Sequence, residues 1–119
     1  MTKDELNKRV YLYSVKTIRF LSKLPEKKLY WTISDQLLRA ATSIGANVIE
    51  AQAATSRKDF ANFYNHALKS ANETKYWLCL LRDAGNINLP ELETLLREAV
   101  ELSKILGASI LTLKGKRNI

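Results

Sequence analysis

Apolar residues recur along this chain at intervals of three and four, the period of helices packed on one side. In the first segment Leu6, Val10, Tyr13 or Ser14, Thr17, Leu21 and Leu24 step along one face. In the third, Phe60, Phe63, Tyr64, Ala67, Leu68, Ala71, Thr74 and Leu78 do the same. The fourth carries Leu92, Leu95, Leu96, Ala99, Leu102, Leu106, Ile110 and Leu113. The second reverses the balance. Between Gln36 and Glu50 it is mostly apolar, yet Gln36, Arg39, Ser43, Asn47 and Glu50 follow at steps of three, four, four and three. Those steps place all five on one face of a helix. Polar groups on such a helix must find partners or stay wet, because burying them unpaired costs roughly 1–3 kcal/mol each.

The boundaries follow from caps and breakers. Thr2-Lys3-Asp4-Glu5 forms a capping box, and Pro25 ends the first helix near Leu24. The second helix spans about Leu29 to Ala54. Gly45 inside it marks a bend or the close approach of another backbone, and Ala40, Ala41, Ala46 and Ala51 point to tight packing. Ser56 caps a third helix reaching about Ala84, and Gly85 is the expected left-handed terminator. Asn88 is the expected cap of the fourth, with Pro90 in its first turn and Glu91 closing a box. Four long helices joined by short loops predict an all-α fold, an antiparallel up-down-up-down four-helix bundle in one domain, residues 1–119. Tyr76, Trp77, Leu80 and Leu81 lie off the main ladder of the third helix. Helices two and three therefore carry more apolar surface than a lone bundle buries, which predicts subunit contacts.

Composition agrees with a helical domain, since the 119 residues include only four glycines and two prolines. One cysteine, Cys79, excludes an internal disulfide and a cysteine-based zinc site, and it reads as a small core residue. The sequence shows neither a secretory h-region nor an apolar run of membrane-spanning length, so no membrane role and a cytoplasmic location are expected. Charge changes the picture more. The net charge is +7, and Met1–Lys28 holds eight Lys/Arg against three acids. Lys8, Arg9, Lys16, Arg19 and Lys23, with Lys114, Lys116 and Arg117 near the C-terminus, are the candidate phosphate contacts. Tyr11, Tyr13 and Phe20 are interleaved with them as candidate stacking platforms. The plainer alternative is a solvated surface that maintains solubility.

Catalytic chemistry finds little support. His66 is the only histidine, and no glutamate lies three residues before it to build a di-iron site. Neither a phosphate loop nor a nucleophile elbow occurs. No cofactor is implied. The third helix has a polar line of its own, Asn62, His66, Lys69, Glu73 and Tyr76. Facing the second helix, Lys69 and Glu73 are placed to pair with Glu50 and Arg39. That defines an expected structural network of Gln36, Arg39, Ser43, Asn47, Glu50, Lys69 and Glu73. A polar pore lining, or catalysis by Arg39, Glu50, Lys69 and Glu73, is the alternative use.

The run Gln36–Ala51, the continuation Arg57-Lys58-Asp59-Phe60 and the segment Ala67–Leu81 resemble the four-helix bundle family related to the 23S rRNA intervening-sequence protein. The likeness covers nearly the whole chain, and Ala51 departs from the Gly that many members carry after the Glu. It implies bundles that assemble into a ring-shaped pentamer. Some members are encoded within insertions in 23S rRNA genes. A related protein, the accessory variability determinant of diversity-generating retroelements, is a positively charged barrel associated with nucleic acid and a reverse transcriptase. No enzymatic activity is established for the family. The combined expectation is a non-enzymatic homo-oligomer, a pentamer by resemblance, binding RNA or DNA or acting as a scaffold. A protein-interaction adaptor with incidental charge is the alternative.

Overall fold

The structure, a computed structural model, describes residues 1–117, with side chains through Gly115. Four helices follow in order: α1 (Lys3–Leu21), α2 (Lys28–Ala51), α3 (Arg57–Asp83) and α4 (Pro90–Arg117). No strand occurs among the described residues. The capping box forms as expected: the Glu5 amide donates to Thr2 Oγ1 at 3.1 Å and the Thr2 amide to Glu5 Oε2 at 3.4 Å. Ser56 Oγ accepts from the Asp59 amide at 3.0 Å and starts α3. Helix α2 ends three residues before the expected Ala54. There the amides of Gln52, Ala53 and Ala54 bond to the carbonyls three residues back, at Ile49, Glu50 and Ala51. This tighter turn keeps helical spacing in the sequence while the α-helix has stopped. Helix α1 likewise stops at Leu21, although Leu24 still tucks into the core.

Two terminators differ from expectation. The left-handed residue after α3 is Asn86, at φ 56°, and no glycine has positive φ. Asparagine tolerates that region because its short side chain bonds locally. Gly85 is present for space. A Cβ there would lie 2.7 Å from the Leu81 carbonyl oxygen, and Tyr30 Oη donates to the Gly85 carbonyl at 2.7 Å. The expected cap at Asn88 also shifts. Pro90 takes the first helical position, so Leu89 precedes the helix and its carbonyl accepts from the Leu92 amide at 3.0 Å. Proline's fixed φ sets the start of α4 independently of a side-chain cap.

Each helix borders two others: α1 touches α2 and α4, and α3 touches α2 and α4, while the diagonal pairs stay apart. The result is a rod of 52 × 23 × 22 Å. One core runs its length, built from Leu6, Val10, Tyr13 and Phe20 of α1, Leu37, Ile44 and Val48 of α2, Tyr64, Ala71 and Leu78 of α3, and Leu92, Leu102 and Leu106 of α4. Burial of each large aliphatic side chain contributes about 1.5–3 kcal/mol. Gly45 marks a close approach: a Cβ would meet the Val10 carbonyl oxygen of α1 at 3.3 Å. Of the paired options on α1, Tyr13 faces inward, and Phe20 takes the core position assigned to Leu21. The buried hydroxyls have partners. Thr17 donates to the Tyr13 carbonyl at 2.8 Å, Thr74 to the Ser70 carbonyl at 2.7 Å, and Tyr13 Oη to the Leu95 carbonyl at 2.9 Å.

Candidate functional site

Helix α1 presents Arg9, Leu12, Lys16 and Arg19 at steps of three and four, so they share one face, and Lys23 in the turn just after the helix extends the line. That face meets a matching line on α4, formed by Glu91, Thr94, Glu98 and Glu101. The two lines do not close on each other. Two adjoining hollows, about 370 and 310 Å³, run along the seam and share Lys16, Thr94 and Leu95. Long charged side chains face each other here, and the α1–α4 contact is the sparsest of the four seams. Phe20 and Tyr13 floor the hollows from the core side.

Ion pairs close both ends of this seam. Arg9 holds Glu98 with a fork, one arm Nε to Oε2 at 2.9 Å and the other Nη2 to Oε1. The Glu98 hydrogen bond raises the Arg9 pKa above its ordinary value, against the opposing effect of burial. At the other end Lys23 Nζ lies 2.5 Å from Glu91 Oε2. Hydrogen bonding from Lys23, then from the Glu91 backbone amide, holds the Glu91 carboxyl below its ordinary range. Between these pairs stand Lys16 and Arg19, both exposed and neither ion-paired among the described residues. Lys8 is exposed on α1. Exposed Lys114 follows Thr112 and Leu113, which line a separate hollow with Met1 and Thr2 at the opposite end of the rod from Lys23. The side chains of Lys116 and Arg117 lie outside the described residues. The candidate cations therefore divide into a graded row on α1 and a remote C-terminal site. The acids of α4 were overlooked in the sequence because they became relevant only once α4 was known to face α1.

Two of the three candidate stacking residues are corrected. Tyr13 and Phe20 are buried at 1% exposure each, and burial pushes the Tyr13 phenol pKa up, keeping it a neutral donor. Tyr11 alone stands clear, at 66% exposure.

The polar stripe of α2 is also divided. Asn47 Nδ2 donates to the Ser43 carbonyl at 2.8 Å and to Ser43 Oγ at 3.0 Å, and Ser70 Oγ of α3 donates to Ser43 Oγ at 3.0 Å. That small cluster is the part of the expected network that spans two helices. Arg39 pairs instead with Asp35 of its own helix at 3.1 Å, and Glu73 accepts from Trp77 Nε1 at 3.2 Å. Glu50 and Lys69 are exposed and form no ion pair among the described residues, while Gln36 is half-buried and joins no side-chain bond there. Burial separates the two sets: Arg39, Glu50, Lys69 and Glu73 are exposed, whereas Ser43, Asn47 and Ser70 are half-buried beside the buried alanines Ala40, Ala41, Ala67 and Ala71, so the short side chains meet. Ser70 was missed because it sits one residue off the polar line read on α3.

The surplus apolar surface is real but distributed differently. Leu81 belongs to the core and Trp77 packs partly against it, whereas Trp31 and Tyr76 stand at 61% and 59% exposure. Tyr76 meets Trp77 edge-on, with centroids 5.1 Å apart. On the α1–α2 side Tyr11, Ile18 and Ile49 are exposed, a contribution from α1 that its sequence did not announce. His66 is exposed and Cys79 half-buried. Among the described residues no cluster of three His, Cys, Asp or Glu is placed to hold a metal ion, and no helix is long and apolar enough to cross a membrane.

The model of the family described as 23S rRNA-intervening sequence protein matches residues 4–108, a span containing all four helix cores. The chain belongs to that family. A solved crystal structure, described as a protein with unknown function from the S23 ribosomal protein family of Bacteroides thetaiotaomicron VPI-5482, is similar in sequence and fold. It shares 36% identity and superposes with a TM-score of 0.84, over 92% of this chain and 98% of that one. No curated protein matches. Family membership thus accounts for the bundle and leaves the activity to the residues themselves.

Proposed function

We propose that this family member is a non-enzymatic, self-associating bundle that binds nucleic acid, and that the row of exposed cations on α1 makes the contact. The carrying observation is that Lys8, Lys16 and Arg19 face solvent without ion-pair partners among the described residues, while neighbouring Arg9 and Lys23 are engaged by acids. Free cations release counterions from a phosphate backbone, and paired ones release fewer. The antiparallel up-down-up-down order is supported by the bond from Tyr30 of early α2 to Gly85, just past the end of α3, and by pairing of mid-α2 with mid-α3, Ser43 to Ser70. Self-association is supported by exposed Trp31, Tyr76, Tyr11, Ile18 and Ile49, and the pentameric ring comes from the family resemblance alone. A cytoplasmic setting belongs to the same reading.

Titration with single-stranded RNA and DNA at low salt tests the nucleic-acid half. With about three phosphate contacts per chain, the logarithm of affinity should fall against the logarithm of salt with a slope near −2. No binding at low salt refutes it. Light scattering at high protein concentration tests the other half, and a monomer refutes that. The adaptor reading draws on the exposed Trp31 and Tyr76, residue types that anchor protein interfaces. Stoichiometric capture of one defined protein after nuclease treatment would favour it.

A further inference from the structure

We infer that the α1–α4 hollow between the two ion pairs is the seat of one stretch of phosphodiester backbone, with Glu91 as its resident competitor. This rests on the nucleic-acid reading and assigns its location. Lys16 and Arg19 are one helical turn apart and line the hollow of about 370 Å³ together with Lys23, Thr94 and Glu91. Three residues along a helix separate the Lys16 and Arg19 backbones by about 4.5 Å, so their flexible side chains converge on one or two consecutive phosphates. Lys23, the third cation, is held by Glu91 at 2.5 Å. An incoming phosphate gains Lys16 and Arg19 directly but must exchange with a carboxylate to gain Lys23. The exchange is feasible because the pair is solvent-exposed, where ion pairs are weak. At the other end the Arg9–Glu98 pair is a two-point fork with both side chains about one-third exposed, and it bounds the site. The floor is apolar and buried, Phe20 and Leu95, so no base stacks there. The site therefore grips backbone without reading sequence.

The test uses the full chain and a short fluorescent single-stranded RNA, with binding followed by anisotropy across a salt series. Each phosphate contact on a single strand contributes about 0.7 to the salt slope, so the double variant Lys16→Ala/Arg19→Ala should flatten it by about 1.4. Lys58→Ala/Lys69→Ala, which also removes two exposed charges but on α3, diagonal to α1, should flatten it by less than half as much. Glu91→Gln should tighten binding about two- to threefold by freeing Lys23. Asp4→Asn removes the same charge at the opposite end of α1, about 26 Å from Leu21, and should do markedly less. All of these positions are exposed or half-buried, and alanine favours helix, so the folded state persists; matched circular dichroism melts verify it. Equal slopes for the two double variants, or equal gains for Glu91→Gln and Asp4→Asn, overturn the assignment while general RNA binding survives. Absence of wild-type binding overturns the broader reading with it. Millimolar inorganic phosphate at constant ionic strength should leave the RNA bound, and displacement would reassign the site to free phosphate.

Discussion

The α2–α3 seam and the α1–α4 seam are built from the same kind of helix and behave as opposites. Between α2 and α3, buried alanines allow close approach, and the polar atoms that cross are two serine hydroxyls 3.0 Å apart, with Asn47 closing the cluster. Between α1 and α4, arginine, lysine and glutamate face each other along the outer edge, bridge at two points and leave a groove between them. Side-chain length at the seam separates a packed contact from an open groove. The first is closed by packing, and the second is held open by solvated charge.

Overpacking should separate the two most strongly. Ala71→Leu adds volume at a fully buried seam position and should cost about 1–3 kcal/mol in urea unfolding. Thr94→Leu, in the open groove, should change stability by less than about 0.5 kcal/mol. Equal costs would erase the distinction. A smaller difference concerns the polar contacts. Ser70→Ala removes a part-buried hydroxyl bond and should cost about 0.5–1.5 kcal/mol. Arg9→Ala breaks a partly exposed ion pair and should cost no more than about 1 kcal/mol, with most of that loss abolished by high salt. The serine variant should be insensitive to salt.

The smallest effect is on acid stability. The Glu91 carboxyl is depressed in the folded state from its ordinary 4.5, so its stabilisation is complete above that value. It is lost as pH falls through the lower folded value, because the unfolded chain then binds the proton first. Thermal melts from neutral pH downward should show wild type and Glu91→Gln converging in acid. A constant offset between them would mean that the Lys23–Glu91 pair contributes nothing to folding.

Much of this architecture is legible in the residue order. The four helices, the box at Thr2 and Glu5, the cap at Ser56 and the close approach at Gly45 are local or one-faced patterns, and they appear where expected. Errors gathered where a residue had two physical uses. Gly85 supplies space while Asn86 supplies positive φ, and both commonly terminate helices. Tyr13 and Phe20 sit among bases in the sequence but turn inward: Tyr13 stands on the core ladder itself, and Phe20 takes the place on it assigned to Leu21. The expected Arg39–Glu73 and Glu50–Lys69 partnerships do not form because all four side chains are exposed, and Arg39 and Glu73 bond within their own helices.

The order of residues alone determined that the chain forms four long helices, because helical period, caps and breakers act over a few neighbours. It also determined that α1 is basic. Which of those bases are neutralised was decided only by the tertiary structure. Glu91 and Glu98 lie 68 and 89 residues from Lys23 and Arg9 along the chain, and only the docking of α4 on α1 brings them together. Charge is written locally, but the electrostatic field at a surface depends on everything folded beside it.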